Sequence, residues 1–186
     1  FLTVFSELFA PVSIGVRTIA KTVRILERNQ SLEKAKNHLV KFGLEDRIRV
    51  AKESTATVAL AAKAFGCEEK KIAKTLSFML PSGPILVLTV GDARIDNAKF
   101  KHAFAAKAKM IKPEECEKII GHAPGGVCPF GINDGVKVYL DESLKSMDSV
   151  LPACGTSDTG VELTIPELEK ASCSAGWVDI TKTPSS

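Results

Sequence analysis

The sequence of 186 residues lacks several patterns by which common protein classes are recognised. Aromatic residues make up only 6%, and the longest uncharged apolar runs, such as Ile85–Gly91, are far shorter than a membrane-spanning helix. The formal net charge of +3 is too small to identify a nucleic-acid partner by itself. With 25% charged and 45% hydrophobic residues, the chain is neither disordered nor collagen-like, and its length suits one domain with a short appendage.

Cysteine and histidine are too few and too scattered to form a familiar disulfide or metal framework. The five cysteines include no Cys-x-x-Cys pair, and an odd number is a poor basis for disulfide pairing. The three histidines show neither His-x-x-x-His nor Glu-x-x-His spacing, and the chain has no Walker loop, dinucleotide fingerprint or Gly-x-Ser-x-Gly motif. We therefore expect reduced thiols, an intracellular protein of the cytoplasm, and no metal or cofactor.

The apolar start Phe1–Phe5 does not have the features of a signal peptide. It lacks an initiating Met and an upstream basic region, and Glu7 interrupts it. We expect the chain to come from a longer polypeptide or to lack its first residues.

Residues 1–30 are predicted to form a helical extension of a main domain at residues 31–186. Apolar residues recur at helical spacing from Val12 to Leu26. Asn29–Gln30 is predicted to break this helix, and Leu32–Phe42 to form the next one, which Gly43 ends. The first helix carries a basic face made of Arg17, Lys21, Arg24 and Arg28.

Positive charge is concentrated in two stretches of the sequence. Residues 1–52 hold ten Lys and Arg against five Asp and Glu, a net charge of +5, whereas the rest of the chain has a net charge of −2. Residues 94–112 hold six cations against one acid. Such patches can attract a polyanion, but they are equally typical of solvated helix faces.

The remaining pattern predicts an α+β fold with a mixed, largely antiparallel sheet flanked by helices. Alternation over 73–80, a turn at 81–84 and an apolar run over 85–90 indicate a hairpin. Further strands are predicted at 47–51, 136–140, 161–165 and 177–180. Helices are predicted over 57–65 before Gly66, after an Asp96 cap, from Pro113 to Gly121, and over 166–171.

Two features could carry chemistry. The segment Gly121–Gly131 holds four glycines and two prolines in eleven residues, a composition that lets backbone N–H groups converge on one point. Lys74 begins an otherwise apolar strand face and could bind a phosphate or polarise a carbonyl group. An ordinary tight connection and a lysine that extends to solvent remain the alternatives. Within the loop, His122 could be a general base and Cys128 a nucleophile, although no base can be assigned to Cys128.

From about Ser31 to Ile180, the chain resembles the YbaK and prolyl-tRNA editing-domain family, the ProX-like aminoacyl-tRNA deacylases. The Lys-Thr-Leu motif and the Gly-Gly-Val-x-Pro-Phe-Gly motif are specific in combination. The segments that carry the resemblance are, in order, Glu53–Val58, Ile72–Leu76, Gly91–Asp96, Gly121–Gly131, Val138–Glu142, Cys154–Gly155 and Val161–Leu163.

The resemblance implies a hydrolase that removes a wrongly attached amino acid from the 3′ adenosine of tRNA, usually tRNA for proline. The implied catalytic residues are Lys74, Gly125 and Gly126. The implied substrate-binding residues are Gly121, His122, Val127, Cys128, Pro129, Phe130, Gly131, Cys154 and Gly155. The acceptor stem of mischarged tRNA is expected to contact Arg17, Lys21, Arg24, Arg28, Arg94, Lys99 and Lys101. A prolyl-tRNA synthetase or a multi-synthetase assembly is a further candidate partner, and no membrane is expected.

Two departures from the family leave the amino-acid preference open. Cys128 stands where the family usually has Ser, and Cys154 where a small residue such as Ala, Ser or Gly is expected. One alternative is a non-catalytic tRNA-binding or synthetase-associated module with the same fold. A second, weaker alternative is a cysteine hydrolase that uses Cys128.

Overall fold

The structure, a computed structural model, describes residues 16–182. Its first helix, α1, runs without interruption over Val16–Val40, so the predicted break at Asn29–Gln30 is wrong. Both residues keep their backbone N–H, and each costs a helix less than about 1 kcal/mol, whereas a proline costs about 3 kcal/mol. The predicted boundary at residue 30 falls within α1 and stays a prediction. Residues 1–15 of the predicted extension lie outside the described residues.

The remaining helices lie where the sequence predicts them. They are α2 Val58–Phe65, α3 Asn97–Phe104, α4 Pro113–Ile120 and α5 Ile165–Ala171, with 3-10 turns at Glu45–Arg47, Glu69–Lys71 and Glu142–Ser146. Asp96 caps α3 as predicted, because its Oδ1 accepts hydrogen bonds from the N–H groups of Ala98 at 2.9 Å and Lys99 at 3.1 Å. Gly66 and Gly121 end α2 and α4 in the left-handed conformation, which confirms both predicted ends.

Strands within residues 16–182 form one large sheet and two small ones. The strands are β1 Ile48–Val50, β2 Ile72–Leu80, β3 Gly83–Val90, β4 Arg94–Ile95, β5 Lys137–Asp141, β6 Ser149–Pro152, β7 Thr159–Val161, β8 Leu163–Thr164, β9 Trp177–Val178 and β10 Thr181–Lys182. The large sheet has the order β8-β6-β2-β3-β5-β9, while β1 pairs with β7 and β4 with β10.

The predicted hairpin and fold class are confirmed. β2 and β3 pair antiparallel from Ala73 opposite Val90 to Leu80 opposite Gly83. β6 and β5 flank this hairpin in parallel. Across the three sheets of the described region, four strand pairs are antiparallel and three are parallel, so the strand pairing as a whole is mixed and largely antiparallel.

Two predicted strands have the wrong extent, and β4, β6 and β10 were not predicted. The strand expected at 161–165 is divided at Glu162, because β7 pairs with β1 whereas β8 pairs with β6. The strand expected at 177–180 ends at Val178. The chain then turns onto the buried carboxylate of Asp141, which accepts hydrogen bonds from the N–H of Ile180 at 2.9 Å and the hydroxyl of Thr181 at 2.7 Å.

The two faces of the large sheet bury different cores. One face, with Leu86 and Leu140, packs against α4, α5 and the C-terminal half of α1. The other, with Phe78 and Val87, packs against Phe100 of α3. A third cluster joins α2 to β2 and β6 and lies beside the cavity described next. No helix in residues 16–182 is both long enough and apolar enough to span a membrane.

Candidate active site

A cavity of about 480 Å³ opens where the large sheet is interrupted. β6 pairs with β2 only at Ile72 and Ala73. The segment before α4 contacts β2 again at Ser77, whose carbonyl accepts a hydrogen bond from the N–H of Ile111 at 3.0 Å. Residues 74–76 of β2 therefore have one open edge, and they line the cavity. The other walls come from the start of α2, the glycine loop 121–131 and the rim segment 153–159.

Lys74 lies on the cavity wall at the start of this open edge. Its half-buried Nζ donates a hydrogen bond to the carbonyl of Ala93 at 2.7 Å. Burial lowers the pKa of Lys74, the carboxylate of Asp92 acts in the opposite direction, and Arg94 lowers the pKa further. Since an ammonium group has three N–H donors, Lys74 retains two for an oxygen of a bound molecule.

The front of the glycine loop reaches the cavity through Pro124, Gly125 and Val127. Gly125 is exposed and has a φ of +86°, a conformation that favours glycine. The N–H of Gly126 donates a hydrogen bond to the carbonyl of Ala123 at 3.0 Å. Of the two glycines predicted to be catalytic, only Gly125 therefore faces the cavity.

Gly126 instead allows the glycine loop to touch the rim segment. A Cβ at Gly126 would lie 2.6 Å from the carbonyl carbon of Gly155 and 2.7 Å from the Cα of Thr156. Gly155 in turn lies against α1, where its Cβ would be 2.8 Å from the Cα of Leu32. Gly131 makes a similar approach to Lys34. The two loops and α1 are thus stacked backbone against backbone, which leaves no room for a side chain.

His122 is fully buried and does not line the cavity. Its Nε2 lies 2.7 Å from the carbonyl of Phe130 and its Nδ1 lies 2.6 Å from the hydroxyl of Ser31 in α1. Because a carbonyl can only accept, Nε2 carries the proton and Nδ1 accepts from Ser31. Burial lowers the pKa of His122, with the Phe130 carbonyl acting in the opposite direction. The imidazole is a neutral link between α1 and the glycine loop.

The other side chains at the back of the glycine loop are also buried. Cys128, Phe130 and Cys154 have no exposed surface, and Pro129 is buried beside them. Gly121 ends α4, and its φ there is +100°. These residues belong to the core side of the loop and do not line the cavity.

The structure argues against a cysteine hydrolase. Burial raises the pKa of Cys128 to about 12, with the backbone of Phe130 and Gly155 acting in the opposite direction. Its Sγ lies 3.5 Å from Nε2 of His122, but that nitrogen already carries the proton donated to Phe130. A thiol without surface and without a base has no route to a nucleophilic role.

Sequence reasoning missed several residues that line the cavity. Thr75, next to Lys74, belongs to the open edge of β2, and Ser157 belongs to the rim segment. The hydroxyl of Thr55 donates to the carbonyl of Ser157, which connects the segment before α2 to that rim. The Glu53–Val58 motif indicated this wall in the sequence. No sequence pattern indicated where the pairing of β2 with β6 ends.

Four of the predicted RNA-binding cations have described side chains, and they lie on three different elements, α1, β4 and α3. Arg28 of α1 makes an ion pair with Asp158 at 2.8 Å, beside the cavity rim. Lys99 of α3 makes an ion pair with Asp179 at 2.8 Å and donates to the carbonyl of Thr181 at 2.9 Å. Arg94 and Lys101 are exposed. The side chains of Arg17, Lys21 and Arg24 lie outside the described residues.

Acidic and metal-ligating groups are scattered in the described part of the chain. Among residues 16–182, no three His, Cys, Asp or Glu side chains are grouped in a way that could hold a metal ion. The polar side chains that line the cavity are one lysine, six hydroxyl residues and one thiol, namely Lys74, Thr55, Thr57, Thr75, Ser77, Ser157, Thr159 and Cys116.

Comparison with known proteins identifies the family. Residues 52–171 match the family described as "Aminoacyl-tRNA editing domain". An uncharacterised protein of Bacillus subtilis, YwhH, is 41% identical over 153 residues, which are 82% of this chain and 98% of YwhH. A proline–tRNA ligase of Streptococcus suis is 26% identical over 121 residues, which are 64% of this chain but only 19% of that ligase.

Solved structures agree with the sequence matches. A crystal structure of a proposed trans-editing enzyme for prolyl-tRNA synthetase has a TM-score of 0.74 and 30% identity, and covers 82% of this chain and 97% of that one. The chain belongs to the aminoacyl-tRNA editing domain family.

Proposed function

We propose that this family member hydrolyses the ester bond between a wrongly attached amino acid and the 3′ adenosine of tRNA. The observation that carries the proposal is the position of Lys74 and Gly125 on the walls of one cavity. A volume of about 480 Å³ lies within the usual range for small-molecule sites, roughly 300–1,000 Å³. Such a cavity can take the aminoacyl group together with part of the terminal nucleoside.

In the proposed reaction, water adds to the carbonyl carbon of the ester. The bond from that carbon to the 3′ oxygen of the ribose then breaks, and the proton passes to the ribose oxygen. The products are a free amino acid and a tRNA with a free 3′ hydroxyl. Because an aminoacyl ester is already activated, much of the rate can come from positioning and from stabilisation of negative charge.

Lys74 supplies the positive charge in this proposal. Its two remaining N–H groups would hold the ester oxygen or the terminal phosphate. Gly125, which has no side chain to exclude a ligand, lets the glycine loop approach the ester carbonyl. Gly126 is assigned a positioning role, because its contact with Gly155 sets how far the loop projects.

The proposed acceptor is tRNA for proline, and the proposed cellular site is the cytoplasm, where aminoacylation takes place. The ligase relatives support the choice of tRNA and of a prolyl-tRNA synthetase as partner, and a multi-synthetase assembly is a further proposed partner. Residues 1–30 are proposed to contact RNA and residues 31–186 to form the editing domain.

Removing residues 1–30 should lower the salt slope of tRNA binding by about 0.7–0.9 for each lost phosphate contact. An unchanged salt slope with a much lower melting temperature would show that the segment supports the domain instead.

The deciding experiment offers the purified protein a panel of tRNAs for proline charged with Ala, Ser, Thr or Cys. Release of at least one amino acid by the wild type, and its loss in Lys74→Ala, is the expected result. tRNA that is bound but never deacylated would favour the alternative of a non-catalytic tRNA-binding or synthetase-associated module.

A further inference from the structure

α1 contacts the rim segment at two points that lie one helical turn apart. At the first point, the guanidinium of Arg28 makes an ion pair with the carboxylate of Asp158 at 2.8 Å. At the second, the backbone of α1 lies so close to Gly155 that a Cβ there would be 2.5 Å from the carbonyl oxygen of Ser31 and 2.8 Å from the Cα of Leu32. α1 therefore holds the chain on both sides of residues 156–157.

Ser157 lies between these two points and faces the glycine loop. It lines the cavity, and a Cβ at Gly125 would be 3.1 Å from the Cβ of Ser157, which leaves little room between the two residues. Gly125 is the residue that lets the loop approach the ester carbonyl in the proposed reaction. The position of Ser157 therefore limits where this part of the glycine loop can lie.

Asp158 is the residue through which Arg28 can act on Ser157. Its Oδ1 also accepts a hydrogen bond from the hydroxyl of Thr156 at 2.7 Å, and its backbone carbonyl accepts one from the N–H of Ala51 at 2.7 Å. Burial raises the pKa of Asp158, but hydrogen bonds from Thr156 and Arg28 lower it by more, so the group is a carboxylate at neutral pH. This one residue thus joins α1, the rim segment and the chain before α2.

Arg28 lies on the face of α1 that packs against the domain. Ser31, Ala35 and Leu39 follow it at spacings of three, four and four residues, which places all four residues on one side of the helix. The three later residues are buried. The same face of the helix therefore continues from the core to the rim segment, where Arg28 makes its ion pair.

We propose that Arg28 is a positioning residue that, through Asp158, holds the rim segment against Gly125. This inference rests on the proposed function, and it replaces the predicted RNA contact of Arg28 by a contact within the protein. An exposed ion pair contributes little to overall stability, so its loss should loosen the rim segment without unfolding the domain. Because catalysis is sensitive to displacements of about 1 Å, the loss should lower kcat more than it changes KM.

Amide hydrogen exchange tests the contact without relying on catalysis. Arg28→Gln removes the charge and should speed exchange about two- to fivefold at the N–H of Ala51, which bonds to the carbonyl of Asp158. Arg28→Lys retains the charge and should exchange more like the wild type. The matched control is Arg47→Gln, which breaks an ion pair of 2.7 Å with Glu167, at similar exposure, and should leave this exchange unchanged. Unchanged exchange in Arg28→Gln would overturn the proposal.

Kinetics with a small substrate then distinguish positioning from RNA contact. The substrate is the aminoacyl ester of adenosine, made with the amino acid that the tRNA panel shows to be released, because this ester has no acceptor stem. Arg28→Gln should lower kcat for the ester about three- to tenfold, with KM within about twofold of the wild type. Arg28→Lys should restore most of the rate, whereas Arg47→Gln should not change it.

A double-mutant cycle locates the effect at Asp158. Asp158→Asn should lower kcat about as much as Arg28→Gln, and the double variant should be no slower than the slower single variant, because both changes break one contact. The salt slope of tRNA binding should stay the same in Arg28→Gln. A normal kcat for the ester with a salt slope lowered by about 0.7–0.9 would show that Arg28 binds a phosphate, and would overturn the proposal.

Deacylation of the charged tRNA panel separates this proposal from the proposed function. If the wild type releases no amino acid, the hydrolase is refuted, and the exchange data alone decide whether Arg28 holds the rim segment. If the panel is deacylated but Arg28→Gln changes neither the exchange nor kcat for the ester, the hydrolase stands and the role of Arg28 is refuted.

Discussion

The front and back of the glycine loop have opposite environments. At the front, Pro124 and Gly125 are exposed and line the cavity, whereas at the back His122, Cys128 and Phe130 have no exposed surface. The potentially reactive side chains are thus in the structural half of the loop. The half that meets the cavity offers mainly backbone, so in the proposed reaction the positive charge comes from Lys74.

Burial explains why the side chains at the back of the loop are chemically unreactive. It raises the pKa of Cys128 to about 12 and lowers the pKa of His122, so both groups are held neutral. The same burial makes their hydrogen bonds important for stability, since an unpaired group there would be costly. The comparison predicts that changes at the cavity alter rates, while changes at the back alter stability.

The largest effect should come from Lys74→Ala. Loss of a charge-assisted contact in the transition state is expected to lower the deacylation rate by about 30- to 1,000-fold, or 2–4 kcal/mol. Circular dichroism should show an unchanged fold, because Lys74 is only half-buried. Lys137→Ala, an exposed lysine on β5 away from the cavity, is the matched control and should keep the wild-type rate. Near-normal turnover in folded Lys74→Ala would refute the assigned role.

Gly126→Ala should destabilise the back of the loop. The new methyl group would have to displace the backbone of Gly155 and Thr156, which should cost about 3 kcal/mol, the upper end for overpacking, because backbone cannot rotate away. The melting temperature should then fall by about 6–12 °C.

Gly135→Ala is the control for the Gly126 variant. Gly135 has a φ of +85°, but a Cβ there would meet nothing within 4 Å. It should therefore cost only the backbone strain of about 1 kcal/mol. Equal melting temperatures for the two variants would contradict the stacking of the two loops.

His122→Asn should lower stability by about 2 kcal/mol, because the hydroxyl of Ser31 or the carbonyl of Phe130 loses its partner. The wild type should also lose stability as the pH falls below about 6.5, the ordinary pKa of histidine. Below that pH, His122 is protonated in the unfolded chain but stays neutral in the fold, because burial lowers its pKa. Acid therefore favours unfolding. Denaturant titrations at pH 7.5 and 5.5 should show a smaller pH dependence in the variant. An identical dependence in both proteins would argue that His122 is not neutral in the fold.

Cys128→Ser should have the smallest effect. The hydroxyl can donate to the Phe130 carbonyl in place of the thiol, so the stability should change by less than about 1 kcal/mol. Since Cys128 does not reach the cavity, the deacylation rate should stay within about threefold of the wild type. Loss of activity, or an acyl-thioester trapped at this residue, would revive the cysteine hydrolase.

Local sequence signals predicted most of the helices and the central hairpin. Asp96, Gly66 and Gly121 act through hydrogen bonds and backbone conformations within a few residues, so their effect can be read from the sequence. The exception is α1, because Asn29–Gln30 is only a weak signal for the end of a helix and α1 continues through both residues. Further along α1, Ala35 and Leu39 are fully buried against the sheet, and such packing contributes more to a helix than local preference.

The candidate site was predicted in its parts but not in its arrangement. Lys74 and the glycine loop were identified from residue type and motif, and both contribute to the cavity. Which side of the loop faces the core depends on contacts such as that between His122 and Ser31, which are 91 residues apart. Thr75 was missed because its open edge exists only where β6 and the segment 109–111 stop short of each other.

By itself, the sequence determined the family, the hairpin, the ends of α2 and α4, the start of α3, and the presence of one lysine and one glycine-rich loop capable of chemistry. Only the tertiary structure decided that His122 and Cys128 are buried, that Gly125 rather than Gly126 faces the cavity, and that Thr75 lies on an open strand edge. The physical reason is that the residue type fixes which chemical groups a side chain has. The exposure, pKa and hydrogen-bond partners of those groups depend on residues distant in the chain.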